Sequence, residues 1–123
     1  MNILLMSMPD ITPVVIHESA VHMPNLGIAS IAANLDPGHE IRLVDLVRKR
    51  RSLKKYISRL VADFKPDLIG LSSMTWQFDT CVKIAHLLKT LRPEAKLVLG
   101  GYHATLMYEE VAASPDARWF DYM

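Results

Sequence analysis

The sequence predicts a single α/β domain, a mostly parallel sheet carrying helices on both of its faces. Two observations lead there. Short apolar runs alternate along the chain with longer segments of helical period, the pattern of successive β-α-β units. Half of the 123 residues are hydrophobic (50%), which supplies a sizeable core for one domain of ordinary size. No repeat or low-complexity tract interrupts the pattern.

The elements follow in order. Ile3 to Met8 is apolar apart from Ser7, as a strand covered on both faces requires. Pro9 to Met23 is long, contains proline and lacks a period, so it reads as a loop, and long loops in compact domains tend to be functional. Pro24 suits a first helical turn, where its missing N–H costs nothing. Ile28, Ile31, Ala32 and Leu35 continue at helical spacing until Pro37-Gly38 ends the helix. Glu40 to Asp45 is the second strand. Ser52 is placed to cap a helix through Phe64, whose stripe is Leu53, Tyr56, Ile57, Leu60, Val61 and Phe64. Pro66-Asp67 breaks it, and Leu68 to Ser72 is strand three. A helix from Phe78 to Leu91 precedes strand four, Lys96 to Leu99, which runs into Gly100-Gly101. A short helix from Leu106 to Ala113 leads to a last apolar run, Trp119 to Met123, read as strand five.

Right-handed crossovers and this element count favour a flavodoxin-like (Rossmann-like) five-stranded parallel sheet of order 2-1-3-4-5 with its last helix missing. Helices two to four then share one face and only helix one covers the other. Apolar surface over strands three to five is left bare. Such a face invites contact with a partner region or a second copy, and the apolar terminus suggests a chain cut short.

Composition narrows the function. Net charge is +1, with 14 basic against 13 acidic residues, and no basic stripe for nucleic acid. The run Arg48-Lys49-Arg50-Arg51 reads as a solvated loop. A single cysteine, Cys81, rules out an internal disulfide or a cysteine-rich metal cage, and its place on an apolar stripe marks a buried, inert thiol. No apolar run reaches the roughly 20 residues needed to span a bilayer, and the start lacks a secretory signal's basic region, which suits a cytoplasmic protein.

In open α/β sheets ligands bind beyond the carboxyl ends of the strands. Three segments build that edge here: the Pro9–Met23 loop, Ser72-Ser73-Met74-Thr75, and Gly100-Gly101-Tyr102-His103-Ala104-Thr105. The paired glycines permit either an unusual bend or a ligand's close approach to the backbone. Ser72, Ser73 and Thr75 offer hydroxyls that would serve a polar ligand or a helix cap. His103 reads as a surface-loop histidine, and Gly27 as a position where a ligand can near the first helical turn.

Three stretches then resemble a family: Pro24-Asn25-Leu26-Gly27-Ile28-Ala29-Ser30-Ile31-Ala32-Ala33-Asn34-Leu35, Lys65-Pro66-Asp67-Leu68-Ile69-Gly70-Leu71-Ser72-Ser73-Met74-Thr75, and Leu97-Val98-Leu99-Gly100-Gly101-Tyr102-His103-Ala104-Thr105. Their order and spacing resemble the N-terminal cobalamin-binding domain of radical S-adenosylmethionine (SAM) proteins. That group includes the anaerobic magnesium-protoporphyrin monomethyl ester cyclases and many methyltransferases. The resemblance covers nearly all of residues 1–123. It implies a corrinoid over the carboxyl edge of the sheet, its nucleotide tail running between sheet and helices on one face. Gly100 and Gly101 would let the tail pass, Ser72 and Met74 would occupy the turn after strand three, and Tyr102, His103 and Thr105 would flank ring or tail.

The resemblance also implies what should be missing. Cobalamin domains of the methionine-synthase and mutase type carry Asp-x-His-x-x-Gly after strand one. Here Asp10 is followed by Ile11 and Thr12, and neither His17 nor His22 has an aspartate two residues before it. No imidazole from this loop is expected on cobalt. The family's SAM-cleaving [4Fe–4S] cluster needs three cysteines from a downstream catalytic domain, so this chain alone is expected to be inert and to present its cofactor to that domain.

Other ligands of the fold fit less well. A receiver domain needs an aspartate where Leu71-Ser72 stands, flavodoxin needs a glycine-containing phosphate loop where Met8-Pro9-Asp10-Ile11 stands, and a dinucleotide binder needs G-x-G-x-x-G where only Gly27 is near. The remaining alternative is a ligand-free protein-interaction domain of the same fold.

Overall fold

The computed structural model describes residues 1–9 and 25–123. The expected Pro9–Met23 loop, including Asp10, His17 and His22, and the expected helical turn at Pro24 fall almost wholly outside them. Four parallel strands, β1 (Asn2–Ser7), β2 (Glu40–Asp45), β3 (Leu68–Ser72) and β4 (Lys96–Gly100), pair in the order β2-β1-β3-β4. The register sets Leu4 beside Ile69 and Leu71 beside Leu99, so one set of alternating side chains meets on one face.

That face holds the main core. Leu4, Met6, Ile69, Leu71, Leu97 and Leu99 are all at most 1% exposed, and they pack under α2 (Leu53–Phe64) and α3 (Phe78–Leu91). The α2 stripe behaves as its spacing predicts, burying Ile57, Leu60, Val61 and Phe64. Among the described residues the opposite face carries only α1 (Leu26–Ala33), and the buried hydrophobic residues there are Ile3, Leu5 and Ile28. Asn25 starts α1, its side chain accepting the Ile28 N–H at 3.2 Å. The one-sided layering expected from the sequence is therefore present.

Three expectations need correction. Trp119–Met123 does not form a fifth strand. Pro115–Trp119 coils into a 3-10 turn begun by the Ser114 hydroxyl, which accepts from the Asp116 N–H. Past it, the Asp121 carboxylate takes the Leu97 N–H at 2.9 Å, a donor that a strand carbonyl would otherwise use. Only a parallel bridge from Tyr122 to Val98 remains, in the place a fifth strand would take. Second, the helix expected at Leu106–Ala113 is two helices, α4 (Tyr102–Leu106) and α5 (Tyr108–Ala113), meeting at Met107. Third, Ser52 makes no side-chain cap, because Leu46–Ser52 already winds as a 3-10 segment. Asp45 caps that segment by accepting the Val47 N–H. The backbone of the basic run thus lies within a 3-10 segment that kinks at Lys49.

Candidate functional site

The uncovered part of the α1 face is a groove of about 260 Å³ between α1 and strands β1, β3 and β4. Its described walls are apolar. Ile28, Ile31 and Leu35 form one wall, Leu5 and Val98 contribute to the floor, and Gly27, Gly70, Gly100 and Gly101 leave stretches of backbone bare. The groove reaches the carboxyl ends of the strands at Ser72 and Gly101, the edge at which this fold class holds ligands. Among the described residues no charged side chain lines it.

The two adjacent glycines do different work. Gly101 has φ +91° and ψ −177°, a region open essentially to glycine alone. A Cβ there would meet the Ser73 backbone at 2.7 and 2.8 Å. Around it the Ser73 N–H donates to the Gly100 carbonyl and the Ser73 carbonyl accepts from the His103 N–H, each at 3.1 Å. Gly101 therefore makes the bend that carries β4 past Ser73 into α4. Gly100 faces the groove, and a Cβ there would meet nothing nearer than the Leu71 carbonyl at 3.9 Å. Its missing side chain is open space. The bend and the opening, alternatives in the sequence, are both present on neighbouring residues.

The remaining expected site residues divide. Ser72 and Gly27 line the groove, and the Ser72 hydroxyl accepts from the Asn25 amide at 3.4 Å, tying the rim to α1. Ser73 is fully buried and donates to the Met74 carbonyl. Met74 and Thr75 are exposed beyond β3, on a turn held by the Gln77 side chain, which accepts the Met74 N–H. None of Ser72, Ser73 or Thr75 caps α3 through its hydroxyl. Tyr102 points to solvent at 58% exposed. Thr105 donates to the Gly101 carbonyl and borders a second hollow with Leu99, Gly100, Ala104, Tyr108 and Met123.

His103 departs from expectation. It is not a surface residue but 7% exposed on α4, its ring stacked 4.2 Å from that of Phe78. Neither ring nitrogen has a hydrogen-bond partner among the described residues. Cys81 is the buried thiol the sequence suggests, and desolvation pushes its pKa up to about 12 against a smaller opposing hydrogen bond with Ser73. Among the described residues no group of three His, Cys, Asp or Glu could hold a metal, and no helix is long and apolar enough to cross a membrane.

Sequence reasoning missed Asn25, Gly70 and Phe78 as parts of this region. Gly70 left a usable signal, since a glycine inside a strand marks a close approach. A Cβ there would meet the tip of Leu5 at 2.7 Å.

Fold and groove together define a ligand-binding α/β domain whose site lies beside a glycine-bared strand at the carboxyl edge of a parallel sheet. The chain belongs to the B12-binding domain family, whose model matches residues 12–122. It is similar to an uncharacterised methyltransferase of Pyrococcus horikoshii, 24% identical over 86 residues, covering 70% of this chain and 18% of that protein. It is also similar to the anaerobic magnesium-protoporphyrin IX monomethyl ester cyclase of Rubrivivax gelatinosus, 27% identical over 106 residues, covering 85% of this chain and 19% of that protein. The chain spans less than a fifth of the length of either relative. No solved structure matches it.

Proposed function

We propose that this domain binds cobalamin with the nucleotide tail in the α1-face groove and presents the corrin ring to a catalytic region of a larger protein. The observation that carries the reading is the open, apolar groove floored by Gly70 and Gly100 and walled on one side only by α1. A flat aromatic base suits such walls, while the polar loops at Ser72 to Thr75 and Tyr102 to Thr105 lie at the edge where a ring would rest. When bound, the corrinoid would supply cobalt chemistry that no cluster of side chains described here can offer. The chain's own residues bind and orient it. The relatives' names support methyl transfer or cyclisation as the parent chemistry, with SAM and an iron–sulfur cluster held outside these 123 residues.

The test is titration of the chain with hydroxocobalamin, following the corrin absorption bands. Saturable spectral change is expected for the wild type, and Gly100→Phe should weaken binding at least tenfold, because its ring would enter open space. Gly101 is the wrong place for that block, since a side chain there would strike Ser73 and disturb the fold itself. An unchanged spectrum with the folded wild type would end the cobalamin reading and favour a ligand-free interaction domain.

A further inference from the structure

The groove changes character along its length. It follows β3 from Ser72 at the carboxyl edge to Leu68 at the other end, about 13 Å at the rise of a strand. Ser72 is the one polar side chain among its described lining residues, and it stands at the mouth, where its hydroxyl accepts from the Asn25 amide. Leu5 follows beside Gly70, and Ile3, Leu35 and Leu68 gather at the inner end. The bare backbone at Gly70 adds contact area without hydrogen bonds to give away. β3 lies between β1 and β4, and the ladders on both sides engage its N–H and carbonyl groups. A ligand's polar atom carried to that inner end exchanges water for no partner among the described residues.

We infer that the groove sorts corrinoids by the base on their nucleotide tail, accepting bases with an apolar edge and rejecting purines. This rests on the cobalamin reading above and adds to it the chemical class of base that is recognised. A dimethylbenzimidazole or a phenol presents ring carbons and methyl groups to walls such as Ile31 and Leu35. The first has a single free ring nitrogen and the second has none. An adenine brings an exocyclic amine and several ring nitrogens, donors and acceptors that these walls leave unmet. An unmet buried polar group lowers affinity by roughly tenfold or more, so the groove's lack of polar side chains is itself the selective device.

The experiment titrates the folded chain with cobalamin, with its phenolyl and adeninyl counterparts, and with cobinamide, which lacks the nucleotide, following the corrin bands. Wild type should bind cobalamin and the phenolyl form at least tenfold more tightly than the adeninyl form. Two variants then supply the missing partner. Ile31→Gln puts an amide on a wall position that is 54% exposed, where the fold tolerates it. Val98→Thr puts a hydroxyl on the floor and keeps a β-branched side chain in the strand. Each should shift the adeninyl-to-cobalamin ratio at least threefold toward the adeninyl form, and Ile31→Leu should leave it unchanged. The ease with which a base leaves cobalt belongs to the free ligand, so it cancels between wild type and variant. Urea midpoints show which variants are folded, and either of the two decides the matter if the other is not. A ratio that the folded variants fail to shift overturns the inference. Cobinamide binding as tightly as cobalamin removes the base from the groove and overturns it as well. Wild type that binds no corrinoid sinks the parent reading and this one with it; wild type that binds cobalamin and the adeninyl form equally sinks this one alone.

Discussion

Three glycines border the groove floor, and their neighbours decide what each would tolerate. A Cβ on Gly70 meets the terminal carbon of Leu5, a flexible side chain with the groove next to it. A Cβ on Gly101 meets the Ser73 backbone, which is pinned by hydrogen bonds on both sides, and it does so at a φ that L-residues avoid. Gly101→Ala should therefore cost about 3 kcal/mol, combining backbone strain with overpacking. Gly70→Ala should cost about 1 kcal/mol or less, since Leu5 can turn aside and a glycine within a strand is itself unfavourable. Equilibrium urea unfolding of both variants checks the order, and equal losses would refute it. A Gly-Gly pair after a strand is visible in the sequence, but which member bends and which opens depends on Ser73, brought alongside by tertiary pairing. The burial of His103 was illegible for a similar reason: Phe78, the ring that covers it, lies on a different helix.

Elements with a clean period were legible. The stripe from Leu53 to Phe64 gave α2 its buried face, and strand runs such as Leu68–Ser72 fell where expected. The terminal run Trp119–Met123 misled, because its apolar residues suggest a strand while the one polar residue among them competes with the ladder. Asp121 accepts from the Lys89 ammonium at 2.7 Å, the Lys96 ammonium at 3.0 Å and the Leu97 N–H. Desolvation raises its pKa, but the Lys89 hydrogen bond, then those from Leu97 and Lys96, outweigh it and hold the carboxyl well below the ordinary carboxylate range. A depressed folded-state pKa means stability that is fully present above the unfolded value of about 4 and is lost as the pH falls below it. Asp121→Asn should accordingly cost from a few tenths to about 1 kcal/mol at pH 7, given solvent screening of these pairs. That difference should shrink when the urea midpoints are compared at pH 3. A gap that is as wide at pH 3 as at pH 7 would show that the carboxylate's charge does not fasten this segment.

At the scale of the whole molecule the two faces of one sheet are treated differently. Leu4, Met6 and Leu97 sit under two long helices, whereas among the described residues the reverse of the same strands meets only α1, of which Leu26 and Ile31 are 73% and 54% exposed. Apolar strand residues beyond the reach of α1 therefore border a groove and not a core, and this asymmetry was legible from the helix count alone. What the count could not supply was the groove's width, set by Gly70, Gly100 and the tether between Asn25 and Ser72. If that groove is the molecule's principal exposed apolar feature, a dye such as anilinonaphthalene sulfonate should bind the ligand-free folded domain there. Gly100→Phe should at least halve the fluorescence by filling the groove, with the unfolding free energy changed by less than about 1 kcal/mol, since the added ring occupies open space. Leu106→Ser, which removes a 58% exposed apolar side chain not lining the groove, should leave the fluorescence unchanged. Scattered surface leucines do not make a binding site, whereas a contiguous apolar hollow does. Signal lost in Leu106→Ser and kept in Gly100→Phe would place the dye elsewhere, and the groove would then be too shallow to hold an aromatic ring.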